Sequence, residues 1–251
     1  MVEENKIALI TGAGSGIGRA CSLALLERGW YVVLAGRRLA TLEETAKLAG
    51  SRSVFALPVP TDVGDRQAVN ALFEEIKGRF GRLDLLFNNV GQALPSMPFE
   101  EVPYEAWVEN MHTNITGTFL CSQAAFQLMK AQSPMGGRII NNGAPSAHVP
   151  RPDGAAFTVS KHAITGFTKA LSLEGRRYNI ACGQIDIGNV EPPGGAPQHA
   201  ARQANGTRLV EDTMDMKAVV DTFLLMAELP IDTNVLSVMV MPTKMPYVGR
   251  G

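Results

Sequence analysis

The segment Thr11-Gly12-Ala13-Gly14-Ser15-Gly16-Ile17-Gly18 joins an apolar run at 7–10 to a stretch of helical periodicity, and its residue types suit a phosphate. Glycines at such a turn let main-chain amides approach a pyrophosphate, and the N-terminus of the following helix adds partial positive charge. Gly12, Ser15, Gly16, Ile17 and Gly18 are therefore the expected phosphate loop. A mere turn is the bland alternative, and the placement between a first strand and an amphipathic helix argues against it. The second apolar run, at 31–35, leads into Gly36-Arg37-Arg38. An acidic side chain at that edge would bond the ribose 2′-hydroxyl of NAD and repel a 2′-phosphate, whereas arginine donates two N–H groups to the phosphate. Arg37 and Arg38 thus favour NADP(H) over NAD(H), against the alternative that they are solvated charges at a helix start.

Short apolar runs alternate with longer helical segments, the pattern of a parallel sheet covered on both faces. Strands are expected at 7–10, 31–35, 53–57, 83–87, 138–141, 180–185 and 235–240, with helices beginning near Gly16, Leu39, Asp65, Tyr104, Ala155 and Met216. The expected fold is α/β, a Rossmann-type doubly wound sheet of about seven parallel strands with helices on both faces, residues 1–251 forming one dinucleotide-binding domain. The stretch 191–212, with Pro192-Pro193-Gly194-Gly195 and a polar run at Gln203-Ala204-Asn205-Gly206, breaks the rhythm. So long an irregular insertion reads as a lid over the substrate. No internal repeat or low-complexity tract is present.

The TGxxxGxG spacing of the loop is followed by Asp62-Val63, by Asn88-Asn89-Val90-Gly91, by Asn114 in Thr113-Asn114-Ile115-Thr116-Gly117, and by Lys161 in Ser160-Lys161-His162-Ala163. Taken in this order, the chain resembles the short-chain dehydrogenase/reductase family over essentially its full length. The resemblance implies that Asp62 and Val63 meet the adenine and that Asn89 and Gly91 lie against the cofactor. It also implies that Asn114 holds a water in a proton relay and that Lys161 holds the nicotinamide ribose.

In that family a tyrosine four residues before the lysine protonates or deprotonates the substrate oxygen, and a serine 13 residues before the tyrosine orients it. Here the two positions are Phe157 and Ala144. Both keep the packing and lose the hydroxyl needed for general acid catalysis. Hydride transfer belongs to the cofactor and needs only orientation by the fold. Three explanations stand together: adaptation to a substrate such as an imine that needs less acid assistance, a cofactor-binding protein without turnover, or substitutions placed to silence the pair. The loop Ser146-Ala147-His148-Val149-Pro150-Arg151-Pro152-Asp153-Gly154 follows the fifth strand, where doubly wound sheets place ligands. His148 or Asp153 would replace the lost acid and Ser146 the serine, against the plainer reading of solvated or turn-forming residues. Substrate contacts are thus expected from Ala144, Ser146, His148 and Phe157, with Leu94, Met97 and Phe99 as pocket wall or core. The family's Pro-Gly pair after strand six is replaced by Asp186-Ile187-Gly188-Asn189-Val190, so Gly188 and Val190 are the expected contacts to the nicotinamide amide.

With 23 Lys and Arg against 24 Asp and Glu, the net charge of -1 gives no reason to propose nucleic acid or a membrane surface as partner. A small molecule is the expected partner. Cys21, Cys121 and Cys182 lack CxxC spacing and read as buried reduced thiols, and the four histidines show no metal-ligand arrangement. The N-terminus has no signal-peptide pattern and no apolar stretch approaches a bilayer span, so a cytoplasmic location is expected. The resemblance further implies a homotetramer or homodimer through the helices near Tyr104 and Ala155 and through the segment Met245-Pro246-Tyr247-Val248-Gly249. The expected function is an NADP(H)-dependent oxidoreductase moving hydride to or from a carbonyl or imine, with a catalytically silent cofactor-binding homologue as the alternative.

Overall fold

The structure, a computed structural model, describes residues 6–191 and 200–248. Strand β1 (Ile7–Thr11) and strand β6 (Ile180–Ile187) are buried at every position. Strands covered on both faces show no polar alternation, which is the signature of a parallel sheet between two helical layers. Between β1 and β6 lie β2 (Tyr31–Gly36), β3 (Ala56–Pro60), β4 (Leu85–Asn88) and β5 (Gly137–Gly143), and β9 (Ser237–Val240) follows near the end. Among the described residues these seven form one sheet of order β3-β2-β1-β4-β5-β6-β9, with every neighbouring pair parallel.

The pleat sends alternate residues to opposite cores. Ala8 and Ile10 pack with Cys21 and Leu25 of α1 (Gly16–Glu27), Leu42 of α2 (Leu39–Leu48) and Phe223 of α7 (Met216–Glu228). Ile7 and Leu9 pack with Leu72 of α3 (Arg66–Phe80) and Cys121 of α5 (Gly117–Ala131). All three cysteines are buried and unpaired. The chain runs outward through β2 and β3, then returns to place β4 on the other side of β1. The crevice beyond the carboxyl ends of β1 and β4 is therefore the switch point at which such sheets bind ligands.

The doubly wound architecture is as expected; several boundaries move. The third strand lies at Ala56–Pro60 rather than 53–57, and Ser53, Val54 and Phe55 belong to a 3-10 turn, Gly50–Phe55. Pro58 and Pro60 argue against a strand on sequence grounds, yet β3 is an edge strand bonded only to β2, where a missing N–H is tolerated. The fourth strand begins at Leu85 rather than 83, because the Leu83 N–H and carbonyl are taken by the Gln132 side chain at 2.9 and 3.0 Å. The last strand spans Ser237–Val240 rather than 235–240. Asp65 is the N-cap of α3, accepting from the Gln67 N–H at 2.8 Å. The helix starting at Tyr104 is interrupted: α4 (Tyr104–Met111) passes through a π turn, His112–Thr116, into α5. The long helix α6 spans Ala155–Gly175.

In the stretch 191–212, a ribbon of β7 (Ala201–Arg202) and β8 (Arg208–Leu209) pairs antiparallel, a feature not expected from the sequence. Pro192, Pro193, Gly194 and Gly195 lie outside the described residues, as do His199 and Gly249. Among the described residues no helix is long and apolar enough to cross a membrane.

Candidate active site

Two cavities lie side by side at the carboxyl edge of the sheet. The first, about 700 Å³, sits over β1 and β4. Its floor is the glycine loop, in which Gly12 (φ 68°) and Gly16 (φ 51°) occupy the left-handed region that disfavours side chains. Gly18 does not line the cavity; it packs beneath Gly12, where an added Cβ would strike the Gly12 carbonyl and come 2.7 Å from Asn89 Nδ2. Main-chain amides of a loop so compressed stay open to a ligand, and a larger residue would fill the cradle.

The expected residues converge on this cleft. Gly12, Ser15, Gly16 and Ile17 line one side, and Arg37 and Arg38 close it at the end of β2. Asp62, Val63, Asn89 and Gly91 complete the wall. Both arginines are exposed, and neither makes a side-chain hydrogen bond or ion pair among the described residues. Asn89 is fixed from two directions: its Nδ2 donates to the Thr11 carbonyl at 2.9 Å, and its Oδ1 accepts from Asn142 Nδ2 at 3.0 Å.

Lys161 lines neither cavity but meets a wall residue of each. It is buried, and its Nζ donates to the Asn142 carbonyl at 2.6 Å and lies 5.5 Å from the centroid of the Phe157 ring. Burial pulls its pKa down to about 8, with the Asp186 carboxylate opposing the shift. The buried Asn114, at the π turn, has its side chain on the loop after β4: Oδ1 accepts from the Gln92 N–H at 2.7 Å and Nδ2 donates to the Gln92 carbonyl at 2.9 Å. A π turn re-aims side chains at such positions.

The second cavity, about 650 Å³, is lined by Ala144, Ser146, Phe157, Leu94, Asp153 and Gly188 among others. Asp153, at φ 59°, accepts from Ser96 Oγ at 3.4 Å. Four expected contacts fall elsewhere. His148 is absent from the lining of both cavities, and its Nε2 lies 2.9 Å from Asp186 Oδ2. Val190 forms a parallel bridge with Met214 and lines neither cavity. Met97 does not line it, and Phe99 is 74% exposed, neither wall nor core.

Sequence reasoning missed the polar frame under these residues. Asp186 is fully buried and accepts from Gln184 Nε2 at 2.7 Å as well as facing His148. Asn110 Nδ2 adds a 2.6 Å bond to the Gln92 carbonyl. An acid inside a largely apolar strand was the available signal for Asp186, since a carboxylate is buried only with partners. Arg202 and Arg208, which also line the second cavity, carried no such signal.

The chain matches the short chain dehydrogenase family over residues 6–203, and it belongs to that family. It is 35% identical over 194 residues to an uncharacterized oxidoreductase of Escherichia coli, YohF, a match covering 75% of this chain and 74% of that one. Sulfoacetaldehyde reductase 2 of Chromohalobacter salexigens is 30% identical over 243 residues, covering 96% of each chain. The crystal structure of acetoin dehydrogenase YohF from Salmonella typhimurium superposes with a TM-score of 0.80 at 28% identity, covering 94% of each chain.

Proposed function

We propose that the protein is an NADP(H)-dependent oxidoreductase acting on a carbonyl or imine substrate through an active site without the usual tyrosine and serine. The observation that carries this reading is the glycine cradle, closed by two arginines that have no other partner among the described residues. Gly12, Ser15, Gly16, Ile17 and Gly18 form the pyrophosphate seat, Arg37 and Arg38 hold a 2′-phosphate, and Asp62 and Val63 take the adenine. Asn89, Gly91, Lys161 and Gly188 serve the nicotinamide end. When bound, the cofactor supplies the hydride, and the fold supplies orientation.

Substrate lies between Ala144, Ser146 and Phe157, under a lid of which residues 200–212 are described. The ring of Phe157 and the methyl of Ala144 exclude water and offer no O–H. Lys161 then offers a proton at Nζ, and Ser146, which lines the cavity, a second exchangeable proton at Oγ. A sulfoacetaldehyde reductase matched over nearly the whole chain supports a small carbonyl compound as substrate class. The long helices expose Tyr104, Val108, Phe119, Val159 and Leu173, which supports assembly into a homodimer or homotetramer, and a cytoplasmic setting fits buried reduced cysteines.

The two missing hydroxyls favour a second reading, a binder of cofactor without turnover. NADPH consumption with matched ketones and cyclic imines separates the two. Expected is imine turnover by the unaltered chain, with ketone reduction raised about a hundredfold to ten-thousandfold in an Ala144→Ser, Phe157→Tyr double variant. NADPH binding without turnover of either class by the unaltered chain establishes the silent reading.

A further inference from the structure

The charges on the wall of the second cavity are unbalanced. Its lining includes Arg151, Arg202 and Arg208 against Asp153. Arg151 is already satisfied, 2.7 Å from the buried carboxylate of Glu211 and 3.3 Å from Asn189 Oδ1. The other two are engaged more weakly. Arg202 on β7 and Arg208 on β8 stand directly opposite each other in the antiparallel register. Like charges in that relation destabilise the strand pair, and a ribbon of two-residue strands has little ladder with which to offset them. Among the described residues Arg202 meets one carboxylate, Asp153, at 3.6 Å, while the guanidinium of Arg208 meets only the Ala200 carbonyl, at 3.3 Å.

The same cavity continues past Ala93, Leu94 and Pro95 to Phe157, Ile187 and Met245, an apolar wall leading to Ala144. A ligand that fits both ends has an anionic head and a short carbon chain. We propose that the substrate is an anionic carbonyl compound, a carboxylate or sulfonate, whose charged group is clamped between Arg202 and Arg208 while its reacting carbon lies at Ala144 and Phe157. Guanidinium groups present paired N–H donors matched to such oxyanions, and an anion between two opposed arginines removes the repulsion that the ribbon otherwise carries. The ribbon is therefore the specificity element of the site. This assignment rests on the second cavity being the substrate site of the proposed oxidoreductase.

The test is binding of 4-oxopentanoate and of its neutral counterpart 2-hexanone, followed by ligand-observed NMR and calorimetry on the full chain, alone and with NADPH. 4-Oxopentanoate is expected to bind at least about tenfold more tightly than 2-hexanone, and to weaken as salt is raised. Arg202→Gln and Arg208→Gln each lose roughly tenfold in that affinity, and the double variant about a hundredfold. Without ligand, neither single variant melts below the parent, because each relieves the opposed charges; this separates loss of the clamp from loss of the fold. Equal binding of the two compounds, or unchanged 4-oxopentanoate affinity in the double variant, overturns the proposal. Arginine-dependent binding without any turnover keeps the anion clamp and removes the oxidoreductase reading. Reduction of 2-hexanone as efficient as that of 4-oxopentanoate keeps the enzyme and removes the clamp.

Discussion

The cleft over β1 and β4 and the cavity over β5 and β6 are similar in size, about 700 and 650 Å³, and they are built from different materials. The first is made of main chain: two left-handed glycines, a third packed beneath them, and an asparagine bonded to the Thr11 carbonyl. Arg37, Arg38 and Glu109 bring charge to it from side chains that nothing else engages among the described residues. The second is made of side chains, from the bare methyl of Ala144 and ring of Phe157 to the arginines of the ribbon. A backbone-built site survives most substitutions and suits a ligand shared by a whole family. A side-chain-built site is rewritten by losing two oxygens, with the frame left standing. Chemistry and specificity therefore reside in the half that is easiest to change.

The sharpest way to break this contrast is to put a side chain into the main-chain half. Gly18→Ala drives a Cβ against the Gly12 carbonyl, which cannot move without opening the loop. Overpacking of this kind costs about 1–3 kcal/mol, so NADPH affinity by fluorescence titration is expected to fall by up to about a hundredfold. Gly78→Ala in α3 is the control, since nothing lies within 4 Å of its added Cβ. It should leave NADPH affinity unchanged and raise stability by up to about 1 kcal/mol. Equal affinities for the two variants would remove the cradle as the determinant.

A smaller effect is expected where that half does depend on side chains. Arg37→Ala with Arg38→Ala removes the guanidinium groups facing the cleft at the end of β2. Charge-assisted bonding from so exposed a pair contributes about 1.5–3 kcal/mol in total, so NADPH affinity drops roughly tenfold to a hundredfold while NADH affinity stays nearly constant. Parallel loss for both cofactors would mean that the arginines shape the loop and read no phosphate.

The same contrast explains what was legible in the sequence. A backbone that must turn left-handed or pass close to another chain segment demands glycine, so Gly12, Gly16 and Gly18 announce their site. The sheet was legible because short, largely apolar runs such as 7–10 and 180–185 have few other uses. Strand β3 was displaced because proline argues against strands in general, whereas only its edge position makes Pro58 and Pro60 acceptable. Residues that act by meeting one another were not legible. Arg202 and Arg208 become a pair only when the ribbon sets them opposite, and His148 turns to Asp186 only because β5 and β6 are neighbours.

Lys161 joins the two halves, and its titration gives the smallest and most discriminating effect. Its pKa falls from 10.5 to about 8 because the buried ammonium is poorly solvated, so the folded state releases this proton before the unfolded chain does. Between pH 8 and 10.5 the unfolded chain binds more protons at this position, and stability contributed here rises with pH across that window. Below pH 8 the fold carries the full cost of the buried charge, at most roughly 3 kcal/mol. Lys161→Met removes this dependence. The stability difference between parent and variant, from denaturant unfolding at each pH, should therefore favour the variant most below pH 8 and shift toward the parent as pH rises. Other titrating groups are common to both proteins and cancel. If Lys161 also supplies the proton for reduction, kcat/KM of the parent declines as pH rises through about 8, and the small residual activity of the variant shows no such inflection. Parallel stability curves would place the lysine charge outside this window and separate the two halves of the site electrostatically.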